Sequence, residues 1–328
     1  MEYKVSVIVP VYNVERFIAR CVKSLMEQTL REVEYIFVND ASPDNSWGVL
    51  KNLTDCYPSR KGDVVLLEHS ENKGLPASRN TGLSVARGEY VFHCDSDDFV
   101  ETDMLEALYA EAKRKHADIV WCDWFLSFEK NERYMRQPCF STAKEALKSM
   151  LGGGMKYNVW NKLVKRSLYI EHDISFPSGH GMGEDMTMML LFAYANNVSY
   201  FPKAFYHYVK TNTTAISRVI SDRSWADLKY NVNRVENFIR HIYGTGLDKE
   251  IAFLKLEAKF PLLVISSDFS YYRLWHDMYP EADCFILKNK NVSLRSRIIQ
   301  RCAHYRLFGI VWLHYQVVCR FFYGIVYR

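Results

Sequence analysis

Apolar positions in the first hundred residues fall into short unbroken runs that alternate with helical stripes. Val5 to Val11 is a β-branched run closed by Asn13, the pattern of a buried parallel strand. Val14 to Gln28 carries Phe17, Ile18, Cys21, Val22 and Leu25 on one stripe, which predicts a helix. The same alternation predicts strands at 33–38, 64–67 and 89–94, with helices at 45–56 and 76–86. Strand and helix in strict turn imply an α/β fold, a mostly parallel Rossmann-like sheet with helices on both faces.

Past Asp98 the pattern is less regular. A helix is expected from Leu105 to Lys115, a short strand from Asp118 to Cys122, and a break at Gly152-Gly153-Gly154. A helix over 186–195 and an aromatic strand over 198–209 complete the expected first domain, residues 1–220. Residues 221–328 read as a helical C-terminal region, with helices at 224–242 and 249–266, the second interrupted by Pro261. Its last stretch, 293–328, has no acidic residue and carries six arginines (295, 297, 301, 306, 320, 328) among aliphatic and aromatic side chains. Such a segment suits a helix lying in an anionic lipid interface. Leu307 to Tyr327 has the length of a membrane span, but His314, Gln316 and Arg320 interrupt it.

Composition narrows this picture only slightly. Lysine and arginine number 42 against 38 acidic residues, a net charge of +4, too mild to imply nucleic acid. The eight cysteines are scattered with no Cys-x-x-Cys pair, and no signal peptide can be drawn at the start, so a reducing cytoplasm is expected. Aromatics reach 15%, which suits a sugar-binding surface and equally a tyrosine-rich core.

In an open parallel sheet, ligands bind beyond the carboxyl ends of the strands. The polar clusters fall there: Val11-Tyr12-Asn13, Asn39-Asp40-Ala41-Ser42, Asn72 to Asn80, and Asp95-Ser96-Asp97-Asp98. Three carboxylates in four residues repel one another unless a cation or donor neutralises them. An Asp-x-Asp loop at a strand end can hold Mg²⁺ or Mn²⁺ against a diphosphate; the plainer alternative is a solvated loop ahead of the next helix. Asp40 offers either a turn or an acceptor for a base N–H. Arg79 is either a diphosphate partner or a surface charge. Asp185, in Gly183-Glu184-Asp185, is either a helix cap or a general base. His207, flanked by tyrosines, is a core residue or a third contact to metal or phosphate.

Taken in order, these motifs resemble the family 2 glycosyltransferases, inverting enzymes of the GT-A fold, over roughly residues 1–220. Val5 to Asn13, Asn39 to Ser42, Asn72-Lys73-Gly74 with Arg79 to Gly82, Asp95 to Asp98, Trp160-Asn161-Lys162 and Gly183-Glu184-Asp185 carry the resemblance. It implies that Pro10, Tyr12, Asn13 and Asp40 hold the donor nucleotide, commonly uracil-based, with Arg79, Asp95 and Ser96 near its diphosphate. It implies a Mg²⁺ or Mn²⁺ ion on Asp97 or Asp98, with Asp95 and His207 as further candidates. Asp185 corresponds to the catalytic base, with Glu184 and Trp160 supporting it or the acceptor. One departure is Asn39, where many relatives are acidic. With the basic, aromatic tail, the resemblance leads to an expectation of a nucleotide-sugar donor and a glycan acceptor, lipid-linked as in capsule or lipopolysaccharide synthesis. The enzyme would then be peripheral at the cytoplasmic face of a bacterial membrane. A metal-dependent nucleotidyltransferase would need a Gly-Lys-rich loop after the first strand, which is absent. A non-catalytic sugar-nucleotide-binding protein is at odds with the retained carboxylates.

Overall fold

The computed structural model describes residues 2–212 and 222–326, with side chains through 321 apart from that of residue 222. Two compact units divide the chain: Met1–Ala146 with Tyr157–Asn231, and Leu147–Lys156 with Val232–Arg328. The expected border at 220 lies outside the described residues. The division between units instead falls inside a helix, after Asn231.

The first unit is built on a nine-stranded sheet among the described residues. In chain order its elements are β1 (Val5–Val11), α1 (Ile18–Met26), β2 (Val33–Asn39), α2 (Ser46–Asp55), β3 (Val64–Glu68), α3 (Leu75–Val85), β4 (Tyr90–His93), β5 (Phe99–Val100) and α4 (Met104–Lys115). There follow β6 (Ile119–Ser127), β7 (Glu132–Met135), β8 (Lys162–Lys165), α6 (Arg166–Glu171), α7 (Thr187–Tyr194) and β9 (Val198–Val209), while α5 (Ala143–Leu151) and α8 (Asp222–Tyr243) are each divided between the two units. Spatial order is β3-β2-β1-β4-β8-β6-β9-β5, with β7 paired to β6. All seven residues of β1 and of β2 are buried, the polar Ser6, Glu34 and Asn39 among them, so both faces of these two strands are covered.

The expectation of a mostly parallel sheet holds for β3, β2, β1 and β4. Beyond β4 the sheet is mixed: β8 runs antiparallel to both neighbours, β6 and β9 pair in parallel, and β5 closes the edge antiparallel to β9. Strands β5, β7 and β8 have two to four residues, too few for a period-two pattern to stand out. Close packing of α3 on β1 requires Gly82, where an added Cβ would come 2.4 Å from the Ile8 side chain.

Within the second unit, α9 (Asp248–Lys259) ends where Pro261 follows, and a 3₁₀ turn continues over Phe260–Leu263. Next come α10 (Phe269–Asp277), α11 (Leu294–His304), α12 (Phe308–His314) and a π-helical turn series over Tyr315–Val326. Lys259 is wholly buried, stacks 3.9 Å over Trp275 and donates to Asp283 at 2.6 Å and to the Met278 carbonyl at 2.8 Å. Asp283 also pairs with His304 at 2.9 Å, so this buried charge pair is fully bonded. The tail is thus helical as expected. Among the described residues no helix is long and apolar enough to cross a membrane; Tyr327 and Arg328 lie outside them.

Candidate active site

The polar strand ends are bound to one another. Asp40, at the end of β2, is 3% exposed. Its Oδ1 accepts from the Lys73 N–H at 2.8 Å and faces His69 Nδ1 at 2.7 Å, and its Oδ2 accepts from the Gly74 N–H at 2.8 Å. A carboxylate expected to read a base is therefore largely engaged in fixing the loop that opens α3. Gly74 sits at φ 86°, which glycine adopts without strain, and the helix starts immediately after it. Pro10 is buried in β1, while Tyr12 stays 40% exposed. Asn13 turns at φ 53° and donates its N–H to Ser42 Oγ at 2.8 Å.

From α3, Arg79 reaches into the acidic cluster. It is 1% exposed, so neither the surface reading nor an open diphosphate contact describes its position. One guanidinium nitrogen donates to Asp185 at 2.7 Å and lies 3.7 Å from Glu184; the other donates to Asp95 at 3.1 Å. Its Cζ lies 5.4 Å from the centre of the Phe176 ring. Asn80, the next residue, holds that segment by paired bonds to the Phe176 backbone, both at 2.8 Å. The acidic loop after β4 and the Glu184-Asp185 turn, 90 positions further on in sequence, thus share one cation.

The members of the acidic loop have different surroundings. Asp98 is sealed, its Oδ2 accepting from the Tyr206 hydroxyl and its Oδ1 from the Val209 N–H, each at 2.7 Å. It anchors the loop to β9 and does not face the cluster as a metal ligand. Ser96 is buried as well. Asp97 keeps one oxygen on Asn212 at 2.8 Å. His207 also leaves the candidate metal set: it is stacked between Phe99 and Phe125, with one ring nitrogen on Glu101 and the other on Glu132. Side chains alternate along a strand, so Tyr206 and Tyr208 face one way and His207 the other. The sequence reading chose His207, yet Tyr206 is the residue that meets the loop, also taking the Asp95 N–H at 3.1 Å. Trp160 stacks on Tyr206 and Tyr208 with ring centres 4.5 and 5.3 Å away, making it a buried support.

Crowded, desolvated carboxylates hold their protons. Burial pushes Asp95 up to about 6, against the pull of Arg79, with Asp97 and Asp185 adding to the rise. Burial and the Asp185 charge push Glu184 up to about 8. Burial likewise raises Asp97. Lys162 Nζ is buried on the Asn158 carbonyl and Asn161 Oδ1, and burial lowers it to about 7 despite Asp185.

A carboxyl whose proton is held more tightly in the folded state destabilises the fold as pH rises between its unfolded and folded values. Glu184→Gln removes that cost. Unfolding in urea should show the variant equal to wild type near pH 4.5, and increasingly more stable towards pH 8. The plateau should be about 2 kcal/mol, discounting the shift for the carboxylate's partly open rim. Parallel pH curves would refute this reading of Glu184.

Asp95 and Asp97 supply hard oxygen donors, each with one oxygen already engaged. Among the described residues no group of three or more His, Cys, Asp or Glu is placed to hold a metal ion by itself. Asp95 and Asp97 would therefore offer a Mg²⁺ or Mn²⁺ ion two carboxylates, and other ligands would have to come from a bound substrate or water.

Residues 6–186 match the family model described as Glycosyl transferase family 2. The chain is 30% identical over 239 residues to glycosyltransferase GlyG of Streptococcus pneumoniae serotype 4, covering 69% of this chain and 77% of that one. Among solved structures, S. aureus TarS 1–349 in complex with UDP-GlcNAc superposes with a TM-score of 0.70 at 20% identity, over 95% of this chain and 91% of that one. The mannosyltransferase PcManGT of Pyrobaculum calidifontis, in complex with GDP-Man and Mn²⁺, follows at TM-score 0.54 and 16% identity, over 97% and 88%. The fold is accordingly of the GT-A type with a helical C-terminal region, and the chain belongs to glycosyl transferase family 2.

Proposed function

We propose that this protein transfers a sugar from a nucleoside diphosphate sugar, with uridine as the base, to a hydroxyl of a glycan acceptor, inverting the anomeric carbon. The observation that carries the reading is the bridge by Arg79 from Asp95 to Asp185. It holds a carboxylate suited to the diphosphate end beside one suited to the acceptor, the two ends between which a sugar must lie. The UDP-GlcNAc complex of TarS supports the choice of uridine, although the PcManGT complex carries GDP-Man on a similar fold.

In this reaction the acceptor oxygen attacks C1 of the sugar as the bond from C1 to the diphosphate oxygen breaks. The acceptor proton passes to Asp185, and the nucleoside diphosphate leaves on the opposite face. Positive charge builds on the sugar ring, as it does in glycosidases. Arg79 keeps Asp185 aimed, and Phe176 and Asn80 keep Arg79 in place. A Mg²⁺ or Mn²⁺ ion on Asp95 and Asp97 would supply charge neutralisation for the departing diphosphate.

Incubation with a panel of UDP- and GDP-sugars and Mn²⁺ tests the proposal. Nucleoside diphosphate should be released from a UDP-sugar, and chelation should stop the release. Pyrophosphate as the product, or no turnover of any UDP-sugar, would overturn it.

The acceptor is a lipid-linked glycan of surface polysaccharide synthesis, carried on a polyprenyl diphosphate and reached from the cytoplasmic face of the membrane. Supporting this are the acid-free tail and the exposure of Leu307, Ile310, Leu313, Val317 and Phe321 along it.

A further inference from the structure

Asp185 closes the segment that begins at Phe176. The start of that segment is fixed by α3, where Asn80 bonds to the Phe176 backbone and to Ser178 Oγ at 3.1 Å. Its end is fixed by Arg79 on Asp185. Between them Gly179, Gly181 and Gly183 leave the backbone a wide choice of paths, and Gly183 takes φ 89°, in the left-handed region. A misplacement of about 1 Å in a reacting group can cost about 10²-fold in rate. The middle of the segment therefore needs a fixed support of its own.

One face of α8 supplies it. Asp227, Tyr230 and Asn231 share that face at i, i+3 and i+4, and all three belong to the first unit together with the segment. Asp227 Oδ2 accepts from the Gly181 N–H at 3.1 Å, and its Oδ1 meets His180 Nδ1 at 3.1 Å. The His180 ring stacks on Tyr230, with centres 3.7 Å apart and planes 11° from parallel. Asn231 is buried and donates to the Met182 carbonyl at 2.9 Å. A Cβ added to Gly183 would stand 3.4 Å from Asn231 and from Leu228, so the helix packs directly on the turn. Among the described residues no other side chain hydrogen-bonds to His180, Gly181 or Met182. Three consecutive residues are thus held, and Gly183-Glu184-Asp185 follows at once. α8 begins beyond residues 6–186, so the matched family region does not contain this support.

We propose that Asp227 is a positioning residue for sugar transfer, acting through the turn that carries Asp185. Its bond to Gly181 sets the direction in which the chain enters Gly183, and with it the place of the Asp185 carboxylate relative to the acceptor hydroxyl. Arg79 alone fixes one oxygen of that carboxylate and leaves the backbone behind it free. The inference rests on the proposed role of Asp185 as the base and adds the residue that places it.

The test measures UDP release from the UDP-sugar that wild type turns over with Mn²⁺. Asp227→Ala should release UDP about 10- to 100-fold more slowly. Calorimetry with UDP and Mn²⁺ should give the wild-type affinity. The melting temperature should stay within about 3 °C, since a partly exposed ion pair contributes little stability. Asp227→Asn keeps an oxygen for the Gly181 N–H and a polar group beside His180, and should recover most of the rate. In the Asp185→Asn background Asp227→Ala should cost nothing further, because a residue acting through Asp185 then has no base left to place. A residue needed only for the fold would cost the same in both backgrounds. Asp227→Ala as fast as wild type, a loss repeated in the Asp185→Asn background, or Asp227→Asn as slow as Asp227→Ala overturns the positioning role alone. Asp185→Asn as fast as wild type, or a wild type that releases UDP from no UDP-sugar, overturns the base reading and the role of Asp227 with it.

Discussion

Asp185→Asn should lower turnover by about 10²–10⁴-fold, the usual contribution of a positioned general base, while donor binding stays close to wild type. The substitution preserves shape, and the amide oxygen can still accept from Arg79, which meets Asp185 at 2.7 Å. What it removes is the capacity to take a proton. Because Asp185 forms no side-chain cap on α7, whose N-cap is Met186 with no such bond, the variant should also keep its helix. Turnover is read from nucleoside diphosphate release, and donor affinity from calorimetry with the UDP-sugar and Mn²⁺. An equal fall in donor affinity, or turnover within a few-fold of wild type, would remove Asp185 from the proton-transfer role.

The second large effect is expected at Arg79. Arg79→Met leaves Asp95, Glu184 and Asp185 gathered without the guanidinium that lies within 3.1, 3.7 and 2.7 Å of them. Removing one partner of a buried charge cluster costs about 3–5 kcal/mol. The rims of the three carboxylates are partly open, so the lower end, about 3 kcal/mol in urea unfolding at pH 8, is expected. The pH dependence follows from the sign of the interaction. Arg79 opposes the upward shift of Asp95 and of Glu184. Without it both carboxyls hold protons more tightly in the folded state, so the variant loses stability faster than wild type as pH rises above about 4.5. The gap should therefore be smallest in acid and largest above pH 8. Arg79→Lys should recover only part of the loss, since one ammonium lacks the planar fork that reaches two separated carboxylates. A variant as stable and as active as wild type at pH 8 would show that the bridge does not organise the site.

Much of the first unit follows from local pattern. Apolar-rich runs are readily buried on both faces, so β1 was legible residue by residue, β9 over its full length, and β2 but for its last residue, Asn39. The stretch from Pro76 marked α3, which begins one residue earlier at Leu75, and the acidic triplet marked a strand end. Short strands were another matter. β5 and β8 exist because β9, β6 and β4 offer them partners, and no four-residue segment states that by itself. The antiparallel insertion of β8 between β4 and β6 is likewise a property of the assembled sheet.

The same division holds for the candidate site. Residue types and their order gave Asp95, Asp97, Asp185, Glu184 and Arg79, because carboxylates and a guanidinium state their chemistry wherever they stand. Their division of work was decided by tertiary contacts: Arg79 inside the cluster, Asp40 on the loop that opens α3, Asp98 locked to Tyr206 and His207 facing away between Glu101 and Glu132. Charge and hydrogen-bonding capacity are written in the side chain itself. Burial, and the partner that neutralises it, belong to distant segments that meet only when the sheet has formed.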